Sequence, residues 1–107
     1  LVSAEAKGEP YRGQVAVAAV VLNRVKSSQF PNSISDVIYQ PGAFSPVANG
    51  QIWKEPVSSA IKAANEALAG TDPSYGALFF FNPAKTTNKY IWSRPQIIQI
   101  GNHIFAR

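Results

Sequence analysis

The six carboxylates of this chain are its best candidates for acid–base chemistry, because only one histidine and no cysteine accompany them. Four of them stand where the neighbouring residues predict a structural role. Asp36 would cap a helix, and Glu55 would face a helix N-terminus. Glu66 would pair with Lys62 one turn away, and Asp72 would form a turn before proline. Glu5 and Glu9 are left without such a role, and both are candidate catalytic residues.

Glu5 is predicted to lie near the C-terminus of a helix. Residues 1–7 have the composition of the last turns of a helix, which Gly8 and Pro10 would end. The negative end of the helix dipole disfavours an ionised carboxylate, which raises its pKa and suits a general acid. Spacing alone also admits a solvated carboxylate on a frayed helix end. Glu9 follows Gly8, so it need not share the helix face of Glu5, but it can line the same cleft from the turn.

Aromatic and amide side chains are candidate contacts for a sugar. Flat rings stack on sugar rings and amides bond to hydroxyl groups, and several such residues fall in predicted loops or at strand ends. The candidate substrate-binding residues are Phe44, Gln51, Phe81, Asn82, Tyr90 and Trp92, and Trp53 shares their setting. Core packing is the competing interpretation for each ring, least so for Tyr90 and Trp92, because residues 85–95 are otherwise polar and resemble a loop. His103 falls in a predicted strand, where a structural histidine is the commoner case.

The composition excludes several kinds of site. Without cysteine there is no disulfide, thiolate metal site or cysteine nucleophile, and one histidine leaves no zinc constellation. We therefore predict no metal and no cofactor. The sequence has no GxSxG, P-loop or dinucleotide-binding motif, and a Ser-His-Asp triad through His103 would lack any supporting motif.

The net charge of +4 favours approach to a polyanion such as nucleic acid, an anionic membrane or an anionic cell wall. The ten Lys and Arg residues are scattered with no run of three, unlike the basic stripe of a nucleic-acid reader, so no nucleic-acid partner is predicted. The longest apolar stretch, residues 15–22, is too short to span a bilayer, so we predict no membrane insertion.

Helices are predicted in the first part of the chain. Residues 13–26 are Ala-rich and apolar on every side, which indicates a helix at the centre of the core; a buried strand is the alternative. Residues 33–40 are predicted to form a short helix with Ser33 and Asp36 in capping-box spacing, and residues 41–53 are predicted to form a loop. Residues 56–69 form a helix with Pro at its first position, Gly70 as its stop and one apolar face. That predicted face consists of Ile61, Ala64, Ala67 and Leu68.

Strands are predicted in the last part. Residues 78–81 resemble a buried strand, and residues 97–105, broken at Gly101-Asn102, resemble a second strand or a hairpin. Helices first and strands last indicate an α+β fold in which helices pack on a small antiparallel sheet. At 107 residues the chain has room for one domain, 1–107.

Nearly the whole chain resembles the catalytic domain of the spore-cortex-lytic enzyme family, the SleB and CwlJ type cell-wall hydrolases. The resemblance is carried by AEAKGEPYRGQVAVAAVVLNRV (4–25), FPN (30–32), IYQPGAF (38–44), GQIW (50–53), FFNP (80–83), IWSRP (91–95) and IGNHIF (100–105). It is greater to SleB than to CwlJ, whose sequences diverge more in the Glu-Pro-Tyr and terminal segments. The terminal Cys-Arg of the family appears here as Ala106-Arg107, a departure that touches no proposed catalytic role.

The resemblance implies a lysozyme-like fold of the lytic transglycosylase and resuscitation-promoting-factor type, acting on peptidoglycan glycan strands. The catalytic acid of the family, the first Glu of Glu-Ala-x-Gly-Glu, corresponds to Glu5, and the second Glu, with a supporting role, corresponds to Glu9. It further implies an exported, monomeric protein of the spore cortex or cell wall of a spore-forming bacterium, acting in germination. A separate N-terminal peptidoglycan-binding domain and a signal peptide are typical of the family and are not in this chain.

Three functions remain open from the sequence. A lytic transglycosylase would cut between N-acetylmuramic acid and N-acetylglucosamine with one carboxyl group and leave a 1,6-anhydro ring. A hydrolytic muramidase would use two carboxyl groups, for which Glu5 and Glu9 are the pair. A glycan-binding module without catalysis would use the aromatic residues alone.

Overall fold

The computed structural model describes residues 1–6, 8–40 and 58–107 of the chain. Helices precede strands along these ranges, as the α+β prediction requires. The elements are α1 Val2–Ala6, α2 Tyr11–Lys26, α3 Ile34–Ile38, α4 Ser58–Leu68, β1 Phe79–Phe81, α5 Lys89–Ser93, β2 Gln96–Ile100 and β3 His103–Ala106. The predicted loop 41–53 and the first residues of the predicted helix 56–69 lie outside the described residues.

Helix α2 is the centre of the core. Every residue from Gly13 to Val21 is buried, which is why its sequence is apolar on all sides. Its small alanines allow close approach of neighbouring elements, and its last turn carries Arg24 and Lys26 at the negative end of the dipole. The helix prediction is therefore confirmed, and the buried-strand alternative is wrong.

Two short helices lie against α2. Helix α1 packs its last residue, Ala6, into the cluster formed by Val17 and Val20 of α2, and Gly8 follows with a φ of +86°. The left-handed conformation at Gly8 ends the helix as predicted. Helix α3 begins at the predicted cap, where the hydroxyl oxygen of Ser33 accepts a hydrogen bond from the Asp36 amide at 3.1 Å.

Helix α4 packs on α2 through a different face from the one predicted. Ala60, Ala63 and Ala67 are buried, whereas Ile61 and Leu68 are 51% and 61% exposed. Alanines bring the two helix axes close together, so the larger side chains are displaced to the edge of the contact. Ile61 and Leu68 there line an open apolar groove of about 340 Å³ between α1, α2, α3 and α4.

The three strands form one antiparallel sheet in the order β1-β3-β2. Phe79 pairs with Ala106 and Phe81 with Ile104, while β2 and β3 form the predicted hairpin with Ile100 opposite His103. The central strand β3 is buried along its whole length, and Phe105 is fully buried against α2. Full burial of one such side chain contributes roughly 1.5–3 kcal/mol to stability.

Two predictions for the surface are corrected. Residues 85–95 are not all loop, because Asn88 caps α5 by accepting hydrogen bonds from the amides of Tyr90 and Ile91. Glu66 does not pair with Lys62. Its carboxylate accepts a hydrogen bond from the Tyr11 hydroxyl at 3.2 Å, and the Lys62 ammonium lies 5.6 Å from the centre of the Tyr11 ring.

Candidate active site

Glu5 is the penultimate residue of α1, as predicted, and its side chain is half-buried. Burial raises the pKa of the Glu5 carboxyl, and the positive charge of Arg24 opposes that rise. The direction of the shift agrees with the sequence prediction, but its principal cause is burial, which the short flanking alanines did not indicate. A half-buried carboxyl that keeps its proton to higher pH is suited to general acid catalysis.

Arg24 is the charged neighbour of Glu5, and sequence reasoning did not select it. Only 6% of its surface is exposed, and its Nε–H donates a hydrogen bond to the Leu78 carbonyl at 2.7 Å. Its guanidinium carbon lies 4.9 Å from the centre of the Phe30 ring and 5.4 Å from that of Phe79. Burial lowers the pKa of Arg24 to about 10, and the charge of Glu5 acts against that change.

The signal that could have identified Arg24 is its position in a helix with no polar face. A long cationic side chain there must either reach past the core or be buried with a partner. The sequence interpretation assigned Arg24 only to the helix dipole, and so missed its proximity to Glu5.

A row of rings leads from Arg24 along β1 to α5. Phe79 packs edge-on against Phe30 at 6.0 Å and against Tyr90 at 6.1 Å between ring centres. The Arg94 guanidinium carbon lies 5.4 Å from the Phe79 ring centre and 5.6 Å from that of Tyr90. Tyr90 remains 59% exposed, so one of the predicted sugar-binding rings is accessible and is linked to the buried Arg24 through Phe79.

Trp92 and Phe81 form a second aromatic pair. Their ring centres are 5.0 Å apart, and the Trp92 Nε1–H donates to the Thr86 carbonyl at 3.1 Å. Phe81 is only 6% exposed, whereas Trp92 is 42% exposed. Phe81 therefore supports the indole from below, and Trp92 is the ring of this pair that a sugar can reach.

Asn82 forms the turn that follows β1. Its side-chain oxygen accepts a hydrogen bond from the Ala84 amide at 2.9 Å, and its main-chain carbonyl accepts from Lys85 at 3.0 Å. The amide group is thus used to shape the segment that carries Tyr90 and Trp92. The candidates Phe44 and Gln51 lie outside the described residues, as do Trp53 and Glu55.

Glu9 is bound to the β2–β3 turn. Its two carboxylate oxygens accept hydrogen bonds from the main-chain amide of Asn102 at 2.7 Å and from the Asn102 side chain at 2.9 Å. The Glu9 main-chain carbonyl accepts a further bond from Gln14 at 3.0 Å. The Glu9 charge is not among those that shift the pKa of Glu5, so the two carboxyl groups lie in different electrostatic surroundings.

His103 lies next to Glu9 on β3, in the predicted strand. Its Nδ1 is 3.9 Å from a Glu9 carboxylate oxygen, and no hydrogen-bond partner for that nitrogen occurs among the described residues. Its ring packs edge-on against Phe80, with ring centres 5.1 Å apart. Burial lowers the pKa of His103, the nearby Glu9 carboxylate opposes this, and Lys85 adds to it.

Within residues 1–6, 8–40 and 58–107 no three His, Asp or Glu side chains come together as metal ligands. No helix in those ranges is both long and apolar enough to cross a membrane.

Comparison with protein families gives one match over most of the chain. The model of the family described as Cell Wall Hydrolase matches residues 8–106. Glu5 precedes the matched range by three positions, whereas Glu9 and the ring-bearing segments fall within it.

Curated relatives match at high identity. The spore cortex-lytic enzyme of Oceanobacillus iheyensis is 57% identical over 103 residues, which are 96% of this chain and 37% of that protein. The spore cortex-lytic enzyme of Bacillus subtilis is 55% identical over 102 residues, 95% of this chain and 33% of that protein. The cell wall hydrolase CwlJ of Bacillus subtilis is 29% identical over 111 residues. This chain thus spans only about a third of the length of the spore cortex-lytic relatives.

Solved structures match over the whole chain. The catalytic domain of the germination-specific lytic transglycosylase SleB from Bacillus anthracis is 56% identical with a TM-score of 0.94, covering 99% of this chain and 87% of that one. The catalytic domain of the Bacillus cereus SleB protein is also 56% identical, with a TM-score of 0.92 and coverage of 99% and 83%.

Helices packed on a small antiparallel sheet, with a half-buried glutamate ending the first helix, define a lysozyme-like α+β domain. The predicted fold class is confirmed. The chain belongs to the cell wall hydrolase family, and its identity to the spore cortex-lytic members is far above its identity to CwlJ.

Proposed function

We propose that this domain is a lytic transglycosylase that cleaves peptidoglycan between N-acetylmuramic acid and N-acetylglucosamine, with Glu5 as the catalytic residue. The observation that carries the proposal is the half-buried Glu5 carboxyl, whose pKa is raised by burial. Its relative from Bacillus anthracis is described as a germination-specific lytic transglycosylase. The substrate we propose is spore cortex, reached after export from a spore-forming bacterium.

In this mechanism Glu5 acts first as an acid and then as a base. Its proton passes to the glycosidic oxygen as the bond from that oxygen to the muramic C1 breaks. The resulting carboxylate takes the proton of the muramic C6 hydroxyl, and the C6 oxygen bonds to C1. The sugar supplies the nucleophile, so no water is consumed and one carboxyl group is sufficient.

Arg24 suits the second step of this sequence. When Glu5 has lost its proton, a buried carboxylate is costly unless a positive charge is near. The Arg24 guanidinium is held by the Leu78 carbonyl and two aromatic rings, so it does not have to be ordered when the charge develops. Arg24 thus acts on the Glu5 carboxylate as a positioning residue.

Glu9 is proposed to hold the turn after α1 rather than to attack the sugar. Both of its oxygens accept hydrogen bonds from Asn102, and a nucleophilic carboxylate would have to give up part of that pairing. This favours the one-carboxyl mechanism over a muramidase that uses two carboxyl groups.

The proposal is tested by digesting purified cortex and vegetative sacculi with the wild type, Glu5→Gln and the matched variant Glu66→Gln. We expect mass spectrometry to find anhydromuramyl ends in the wild-type and Glu66→Gln digests. Glu5→Gln should keep its circular dichroism spectrum and lose about 10²- to 10⁴-fold in rate, because the acid is removed.

The rival functions give different results in the same assay. Reducible ends that are heavier by one water would establish hydrolysis and overturn the transglycosylase mechanism. If the wild type releases no fragments from either substrate while glycan binding persists in Glu5→Gln, the domain is a binding module.

A further inference from the structure

Arg94 follows α5 and is held in a fixed orientation. Its guanidinium lies beside the rings of Phe79 and Tyr90, and its Nε–H donates a hydrogen bond to the main-chain carbonyl of Arg107 at 2.8 Å. Its side chain is only partly buried, so solvent reaches it. No carboxylate of the described residues forms an ion pair with it.

This guanidinium lies close to the proposed catalytic groups. Arg24 and Arg94 each place their guanidinium carbon 5.4 Å from the centre of the Phe79 ring, so the two cannot be separated by more than twice that distance. Arg24 in turn acts electrostatically on Glu5. Arg94 is thus linked to Glu5 through Phe79 and Arg24.

The surroundings of Arg94 in the sequence are entirely cationic. No Asp or Glu follows Asp72, whereas Lys85, Lys89, Arg94 and Arg107 do. This excess of positive charge in the segment that carries Arg94 favours the approach of an anion.

We propose that Arg94 binds a carboxylate carried by the muramic acid side chain, which makes this surface a subsite for the acidic substituent of the glycan. The inference rests on the proposed function, because it names the part of peptidoglycan that the same site recognises. The planar fork of an arginine matches a carboxylate in two parallel hydrogen bonds, and the two ring contacts with the hydrogen bond to Arg107 orient that fork before the ligand arrives. The carboxylate belongs either to the stem peptide or to the lactyl group.

The test uses three preparations of the same glycan strands. Intact strands carry stem-peptide carboxylates, amidase-treated strands carry the lactyl carboxylate alone, and strands coupled to methylamine with carbodiimide carry neither. KM and kcat are measured for the wild type, Arg94→Gln, Arg94→Lys and the control Lys62→Gln. Lys62 also places a cation over a tyrosine ring, but on α4.

We expect Arg94→Gln to raise KM about tenfold on carboxylate-bearing strands, since a charge-assisted hydrogen bond is lost, and to leave kcat unchanged. On neutralised strands Arg94→Gln and the wild type should have the same KM. Arg94→Lys keeps the charge and should recover part of the affinity, while Lys62→Gln should behave as the wild type. A loss on intact strands alone assigns the stem peptide, a loss on amidase-treated strands alone assigns the lactyl group, and an equal loss on both shows that Arg94 accepts either carboxylate.

An unchanged KM of Arg94→Gln on charged strands, or an equal rise on neutralised strands, would overturn the subsite. If Arg94→Gln does not fold, Arg94→Lys carries the test, because a merely structural residue would change KM equally on all three preparations. Failure of the proposed function is recognised separately, since the wild type would then release no fragments from any of them.

Discussion

Burial and the charge of Arg24 act in opposite directions on the pKa of Glu5, the proposed acid. Burial of Glu5 favours its protonated form, and the Arg24 guanidinium favours the carboxylate. An acid that must also serve as a base needs both influences, because either one alone would hold it in a single protonation state. The two residues lie on α1 and α2, so their electrostatic interaction depends on the packing of those helices.

Replacing Arg24 should move the pH profile of the enzyme. Without the guanidinium the pKa of Glu5 rises further, so the proton required for the first step is retained to higher pH. We expect the alkaline limb of kcat/KM to shift upward in Arg24→Gln and much less in Arg24→Lys. A pH series of initial rates on cortex strands measures this, with Lys26→Gln, an exposed cation of the same helix turn, as the control. A limb that stays in place or moves to lower pH would contradict the electrostatic role of Arg24.

At the scale of elements, a turn-to-turn contact helps to join the start of the chain to the sheet. Glu9 follows α1, and Asn102 lies between β2 and β3, where it donates two hydrogen bonds to the Glu9 carboxylate. Gly101 has a φ of +59°, and a Cβ there would lie 2.6 Å from a Glu9 oxygen and 2.7 Å from Pro10 Cδ. The contact therefore requires glycine for both its backbone conformation and its space.

Gly101→Ala should destabilise the domain by about 2–4 kcal/mol, the sum of a left-handed backbone cost and overpacking. Urea unfolding followed by tryptophan fluorescence measures the change. Gly76→Ala is the control, since Gly76 has a φ of +85° but no atom near its missing Cβ, and it should lose only the backbone part. Equal losses in the two variants would show that the close approach of Glu9 contributes nothing.

Features that depend on residues close in sequence, such as helix ends, were predicted correctly. Features that depend on packing against another element were not. Ser33 and Gly8 specify helix ends through their own backbone and side chain, and both positions were predicted correctly. The buried face of α4 was mispredicted, because the choice of Ala60 and Ala63 over Ile61 depends on how closely α2 approaches. Arg24 was missed for the same reason, as its role depends on α1 folding back beside it.

At the scale of the whole molecule, the shifted groups of the described residues whose ordinary pKa lies below 7 link stability to pH with different signs. The pKa of Glu5 is raised from 4.5, that of His103 is lowered from 6.5, and that of Asp72 is lowered from 3.8. Burial is the first cause for Glu5 and His103. For Asp72, hydrogen bonds from Ser74, Asn23 and Gly76 outweigh the opposing effect of burial. Its influence on stability lies at pH values below 3.8, outside the window in which the other two titrate.

Glu5 and His103 act in opposite directions between pH 4.5 and 6.5. The folded state holds the Glu5 proton above pH 4.5, where the unfolded chain has released it, so this group lowers stability as the pH rises. His103 is neutral in the folded state below pH 6.5, where the unfolded chain binds a proton, so this group lowers stability as the pH falls. The wild-type dependence is the difference of the two, and single variants are needed to separate them.

We therefore expect the free energy of unfolding of Glu5→Gln to exceed that of the wild type by an amount that grows as the pH rises above 4.5. Glu5→Gln itself should lose stability as the pH falls below 6.5, and Glu5→Gln/His103→Gln should lose much less. Urea midpoints at pH values from about 4 to about 8 measure both effects.

Glu9 and Lys85 are the charges that act on His103. Adding Glu9→Gln to Glu5→Gln should steepen the loss of stability below pH 6.5, because the carboxylate that favours the protonated imidazole is gone. A double variant as pH-dependent as Glu5→Gln would show that His103 is not the group responsible.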